Sequence, residues 1–186
     1  MEQRAEPSGV DWELAAYHEA GHAVVATVLG FKADVVRLQD PAVPSGKLAT
    51  KTEFGGVEPT TLESKIQTIW NRATYLVCGR LCEFKGTARC FEPGWIADDL
   101  QIDWWYEILQ AASPSTCPNK QDFLRDVQER AEALAAENWS AVEAVAAELL
   151  TSRQIEGSRL REIIASCVRR HRADANGEGY ERQPRS

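Results

Sequence analysis

Residues 11–30 read DWELAAYHEAGHAVVATVLG, and this stretch predicts one continuous helix that decides the rest of the fold. Asp11 is suited to cap the start of the helix, and Gly30 is suited to end it. Apolar residues occupy nearly every side of the helix between them. A helix that is apolar all round is typically buried, so we expect this segment to lie inside the core.

His18 and His22 lie four positions apart in that helix and therefore share one face, where both imidazoles can reach one metal ion. Glu19 projects about 100° away, close enough to bond a metal-bound water without ligating the metal. A single histidine in an apolar helix is more often a core residue with one satisfied nitrogen. However, the chain has only 3 histidines, and two of them stand at ligand spacing around a glutamate. The pattern therefore predicts a zinc site with Glu19 as a general base.

Composition limits the class of protein. A chain of 186 residues with 44% hydrophobic content can bury one sizeable core, which favours a single domain. Its 21 basic and 28 acidic residues give a net charge of −7, which argues against a nucleic-acid-binding surface. No apolar stretch approaches the ~20 residues that cross a bilayer, and residues 1–9 lack a signal-peptide core.

The 5 cysteines are odd in number and irregularly spaced, so neither a disulfide framework nor a separate cysteine zinc site is expected. Buried thiols are the simpler interpretation. These features together indicate a cytoplasmic protein with reduced cysteines.

The periodicity predicts a mostly α-helical domain with a small β-sheet beside the metal-binding helix. We expect a flexible arm over 1–10, one domain over 11–171 and a disordered tail over 172–186. Short strands are predicted at 34–39 and 47–54, with a loop at 86–96. Further helices are predicted over these ranges: 60–84, 98–112, 120–137, 140–152 and 158–170.

A catalytic zinc needs a third protein ligand. His171 is the only remaining histidine, and it lies in a basic terminus. The competing carboxylates are Asp98, Asp99, Asp103 and Glu83. An aspartate at the start of a helix commonly caps it, so composition and spacing alone leave this choice open.

Residues 16–26, AYHEAGHAVVA, closely resemble the zinc helix of the FtsH-type proteases, the membrane-anchored AAA+ metalloproteases. Residues 79–83 look like that family's G-R-x-A-E segment. Asp99-Leu100-Gln101 is similar to its N-D-L-Q, in which the aspartate is the third zinc ligand. The likeness spans roughly 11–166. It implies that His18, His22 and Asp99 hold zinc and that Glu19 is catalytic.

The chain also departs from the family pattern. The resemblance does not extend to the family's ATPase module or its transmembrane anchors. The threonine- and glycine-rich approach to the aspartate is replaced by residues 92–98, EPGWIAD. We therefore expect a peptidase that does not itself use ATP and that cleaves peptides or unfolded chains. Homo-oligomerisation and an ATPase acting in trans stay open.

The expected activity is that of a zinc metalloendopeptidase in which Glu19 takes a proton from water and passes it to the leaving amine. An extended substrate could add to the edge of the 47–54 strand. One alternative is a non-catalytic zinc-containing binding or regulatory domain. Another is a stand-alone regulatory protease that cleaves one partner and takes its last ligand from elsewhere. The ligand set and the role of Glu19 discriminate among them.

Overall fold

The fold is mostly helical, as predicted. The computed structural model describes residues 11–38, 54–55, 59–90 and 92–175. Within these ranges six helices are present: α1 (Trp12–Val28), α2 (Leu62–Thr87), α3 (Glu92–Ala112), α4 (Lys120–Glu137), α5 (Trp139–Ser152) and α6 (Gly157–Ala175).

Short strands form two antiparallel pairs beside the helices. They are β1 (Lys32–Ala33), β2 (Val35–Arg37), β3 (Phe54–Gly55) and β4 (Gln154–Glu156). β1 pairs with β3, and β2 pairs with β4. The 34–39 prediction corresponds to β2. Of the predicted 47–54 strand, residues 47–53 lie outside the described residues. β4 was not predicted.

α1 is the central helix, and its predicted burial is confirmed. Asp11 caps it by accepting a hydrogen bond from the amide of Leu14 over 3.4 Å. Gly30 follows its end with a positive φ of 89°, a conformation that favours glycine. α1 packs mainly against α2 and α5. Apolar side chains form one core cluster on the α5 and α6 side and a second on the α2 and α4 side. The metal motif therefore lies at the middle of the fold.

Gly21 allows α1 and α2 to approach closely. A Cβ atom at this position would lie 2.6 Å from the backbone oxygen of Cys78 and 2.8 Å from the Cβ of Cys82. Neither distance is tolerated between real atoms, and the first obstacle is backbone that cannot rotate away. The close crossing brings the histidine face of α1 onto α2.

α3 begins earlier than predicted, so Asp98 and Asp99 both lie inside the helix. The 86–96 segment was predicted to be a loop, with the next helix starting at Asp98. Instead, α2 continues to Thr87, Ala88 ends it in the left-handed region with φ 54°, and α3 starts at Glu92. Asp98 therefore lies within the helix and not at its cap.

The last helix extends past the position predicted as the end of the domain. α6 runs to Ala175, past the predicted domain end at 171 and into the tail predicted over 172–186. Residues 1–10 and 176–186 lie outside the described residues. Among the helices of the described ranges, none has both the length and the apolar character needed to cross a membrane.

Candidate metal centre

Three ligand atoms converge where α1 faces α3. The Nε2 atoms of His18 and His22 are 2.9 Å apart. Oδ2 of Asp98 lies 3.1 Å from the first and 3.2 Å from the second. Ligands bound tetrahedrally to zinc at its usual bond lengths are about 3.3 Å apart. The side chains are therefore spaced as ligands of one ion would be.

Hydrogen bonds behind the two imidazoles fix which nitrogen faces the cluster. Nδ1 of His22 donates to the backbone carbonyl of Tyr75 over 2.8 Å. Nδ1 of His18 donates to Oε2 of Glu83 over 3.1 Å. A carbonyl and a carboxylate can only accept, so in the neutral rings both protons sit on Nδ1. Both Nε2 lone pairs then point at the cluster, the tautomer that a metal ligand requires.

Asp98 supplies the evidence that a cation fits this position. Its Oδ2 atom is buried and has no hydrogen-bond partner of good geometry, although both imidazoles are within ion-pair distance. Two imidazole lone pairs and a carboxylate oxygen would repel one another if nothing positive lay between them. A divalent ion, or protons on the rings, satisfies all three groups.

Electrostatics show how strongly the cluster attracts positive charge. Burial by itself would lower the pKa of His18, but Asp98 and Glu83 outweigh it and raise that pKa to about 10. The pKa of His22 is also raised, with burial opposing and Asp98 favouring the charged ring. Burial would raise the pKa of Asp98, yet the two histidines hold it well below its usual range. The metal-free site therefore holds protons that a metal would displace.

Gly79 on α2 makes room for the imidazoles. A Cβ atom there would lie 2.5 Å from Nε2 of His22 and 3.0 Å from Cε1 of His18. Any side chain at this position would therefore occupy the space in which the two rings meet. Gly79 belongs to the segment that resembles the FtsH-type family, and the sequence carries no local signal of this contact.

Glu83 is one of the open candidates for the third ligand. It lies one turn beyond Gly79 and is not among the converging ligand atoms. It is buried, accepts the bond from His18 on the side away from the cluster, and also accepts one from Nε1 of Trp95 over 3.1 Å. A carboxylate behind a ligating histidine orients the ring and raises its basicity. Glu83 therefore supports His18 and does not belong to the converging set.

Asp99 lies outside the cluster, which corrects the sequence-based placement by one residue. Its side chain is 56% exposed and pairs with Arg80 over 3.1 Å, whereas that of Asp98 is 14% exposed. Successive helical residues point about 100° apart, so only one of the two can face α1. The choice of Asp99 relied on the likeness of the following Leu-Gln pair, whereas the structure brings Asp98 to the two histidines.

The other candidates are placed as follows. Asp103 pairs with Lys120 over 2.9 Å at the surface. The side chain of His171 lies outside the described residues. Glu19 is only 3% exposed, and its negative charge contributes to raising the pKa of both His18 and His22. Glu19 is therefore buried within electrostatic reach of the cluster.

Comparison with known proteins gives no family assignment. No protein-family model matches the chain, and no curated protein matches it. Function must therefore be inferred from the chemistry of the site.

Proposed function

We propose that the chain is a zinc-dependent metallopeptidase that hydrolyses peptide bonds in peptides or unfolded chains. The observation that carries the proposal is the convergence of His18, His22 and Asp98, with the buried carboxylate of Glu19 beside them. The likeness of residues 16–26 to the FtsH-type zinc helix supports it. In this proposal Asp98 takes the ligand role that the likeness suggested for Asp99.

The donor set suits zinc. Zinc readily accepts two imidazole nitrogens together with one carboxylate oxygen, and three protein ligands are typical of catalytic zinc sites with an open position. When bound, zinc would acidify a water molecule and polarise a substrate carbonyl. Each ligating ring already has the outer hydrogen bond that orients it.

Glu19 is the group we propose for proton transfer. It follows a ligand directly on α1, so it is close to the cluster without joining it. It would accept a proton from the attacking water and deliver it to the leaving amine, a general base and then a general acid. A structural role alone does not require a carboxylate at this buried position.

The burial of the site limits the substrate. His18 and His22 are only 9% and 7% exposed, so little of either residue is open to a large partner. A single extended strand is narrower than a folded protein surface, which is why we propose peptides or unfolded segments. An ATPase acting in trans would supply such segments. The buried thiols Cys78 and Cys82 accord with a reducing, cytoplasmic location, which is part of the proposal.

The same burial favours a second candidate, a binding or regulatory domain in which the metal only stabilises the fold. Structural zinc sites are usually closed to solvent, and the ligands here are largely covered. The two candidates differ in their demand on Glu19, because a structural site needs the ligands and does not need a base.

Metal analysis together with two matched variants tests the proposal. Purified protein should contain about one equivalent of zinc, and His22→Ala should lose it. Glu19→Gln should keep the fold and the metal while hydrolysis of an unfolded protein such as casein falls by ~100-fold or more. Glu13→Gln, on the exposed side of the same helix, is the control and should hydrolyse normally.

Equal hydrolysis by the wild type and Glu19→Gln would reject the peptidase mechanism. A zinc-loaded wild type that cleaves no unfolded substrate would favour the binding domain. Full zinc retention in His22→Ala would place the metal elsewhere.

A further inference from the structure

Arg72 on α2 is a cation held between aromatic rings. Its guanidinium carbon lies 4.8 Å from the ring centroid of Trp105 on α3 and 5.7 Å from that of Phe31, just after α1. Its Nε atom is buried and has no hydrogen-bond partner. In the part of the chain that the structure describes, no carboxylate pairs with it.

This lack of an anionic partner sets Arg72 apart from several other arginines. Arg80 pairs with Asp99, and Arg125 pairs with Asp122, both at the surface. A guanidinium stays charged at any physiological pH and has five donors in a planar fork. Aromatic faces stabilise its charge but accept the hydrogen bonds of that fork only weakly. Arg72 therefore has donors available for an anion that is not part of the described chain.

Arg72 lies beside the metal centre, along the same pair of helices. It stands two turns before Gly79 on α2, and Trp105 stands two turns after Asp98 on α3, which corresponds to about 10.5 Å along each axis. Tyr75 stands between Arg72 and Gly79 on α2. The centroid of its ring lies 6.2 Å from that of His22 and 5.5 Å from that of Phe31. An extended chain spans about three residues over this distance.

We propose that Arg72 is a specificity-determining residue that binds a carboxylate of the substrate about three residues from the bond to be cleaved. The fork of a guanidinium matches a carboxylate through two parallel hydrogen bonds, and the flanking rings hold it ready for that contact. The carboxylate can belong to an acidic side chain or to the C-terminus of the peptide. The proposal rests on the proposed peptidase function, from which it takes both the peptide ligand and the position of the bond to be cleaved.

Peptide binding tests this directly, without relying on turnover. The protein is the full chain carrying Glu19→Gln, loaded with zinc, and the probes are fluorescein-labelled six-residue peptides of one sequence. One has an internal Glu and an amidated C-terminus, one has Gln and a free C-terminal carboxylate, and one has Gln and an amide. Fluorescence anisotropy should show at least one carboxylate peptide binding about 10-fold or more tightly than the uncharged peptide. The tighter of the two identifies the source of the carboxylate.

Arg72→Met should abolish that preference, because methionine keeps apolar contact with the rings and removes the charge. Arg72→Lys should keep part of it, since lysine retains the charge without the fork. Arg153→Met is the matched control. Arg153 also lies over an aromatic ring, 4.2 Å from that of Trp12, but at the far end of α1, and its variant should keep the full preference. Circular dichroism checks that each variant is folded.

Absence of any carboxylate preference in the parent protein, whether the peptides bind equally or not at all, would overturn the proposal. Persistence of the preference in folded Arg72→Met would also overturn it. A preference that depends on Arg72 in a protein whose wild type never hydrolyses peptides would leave the subsite standing and reject only the peptidase function. Hydrolysis by the wild type without any carboxylate preference would reject the subsite and leave the peptidase function standing.

Discussion

The indole of Trp95 donates a hydrogen bond to Oε2 of Glu83, the same oxygen that accepts the bond from His18. One carboxylate oxygen thus joins the first part of α3 to a histidine of α1. Trp95 stands in the 92–98 segment, which replaces the threonine- and glycine-rich approach of the resembled family. The orientation of the His18 ring therefore depends on residues outside the 18–22 segment as well as on that segment itself.

Glu83→Gln should weaken zinc binding by roughly 10–100-fold, the usual effect of removing an outer partner of a ligating histidine. Glutamine keeps the shape and can accept from Nδ1, but it removes the charge that raises the basicity of the ring. A competition titration with a chelating dye measures the dissociation constant. Trp95→Phe should have a smaller effect, because it leaves the carboxylate in place. Unchanged affinity in Glu83→Gln would contradict the supporting role.

Asp98→Asn and Asp99→Asn form a matched pair of adjacent isosteric changes. Asp98→Asn should reduce zinc affinity by more than an outer-partner change does, since it removes a charged ligand atom from the cluster. Asp99→Asn loses only an exposed ion pair with Arg80, worth about 0–1 kcal/mol of folding free energy, and should bind zinc normally. Zinc titration and thermal melting of both variants measure these effects. The opposite pattern would restore the ligand role to Asp99.

Gly79→Ala should lower both stability and zinc affinity. In an exposed helix interior the same change would stabilise by about 1 kcal/mol, but here the new methyl group would occupy the space between the imidazoles. Gly21→Ala is the comparison. It should lower the melting temperature because the new methyl group pushes α1 away from α2. The same loss of stability should occur in the metal-free protein. Zinc titration and thermal melting measure both effects, and normal zinc affinity in Gly79→Ala would show that the rings can meet elsewhere.

Metal-free protein should lose stability as the pH rises. The folded-state pKa of His18 is raised to about 10, so its proton stabilises the fold fully below the unfolded pKa of about 6.5, and this contribution disappears as the pH approaches 10. Asp98 has a lowered pKa, so its contribution is lost only as the pH falls below about 4. Chelator-treated protein should therefore melt highest between about pH 4 and 6.5. His18→Gln should flatten the alkaline decline, and an equally steep decline in that variant would exclude His18 as its cause.

The helix of the motif could be predicted because its signals are local. Asp11, Gly30 and the apolar pattern between them are read from one stretch of sequence, and the structure confirms the cap, the end and the burial. The spacing of His18 and His22 also guarantees a shared face once the helix exists.

The third residue of the cluster, Asp98, could not be predicted from local signals as the two histidines could. Pro93 and Gly94 look like loop residues, yet proline in the first turn of a helix breaks no intrahelical bond, and α3 begins ahead of them. Which of Asp98 and Asp99 faces α1 depends on how α3 is rotated as it packs against α2, which no local pattern determines. β4 was missed for a related reason, because its three residues become a strand only by pairing with β2.

The two histidines and Asp98 belong to helices that are held in the fold in different ways. α1 is fixed on both sides by α2 and α5, whereas α3 packs chiefly on α2 and makes little direct contact with α1. A metal ion held by all three side chains would thus act as a crosslink between a fixed element and a less constrained one. Hydrogen exchange along α3 should then slow on zinc addition far more than exchange along α1, which makes the backbone of α3 a reporter of metal occupancy.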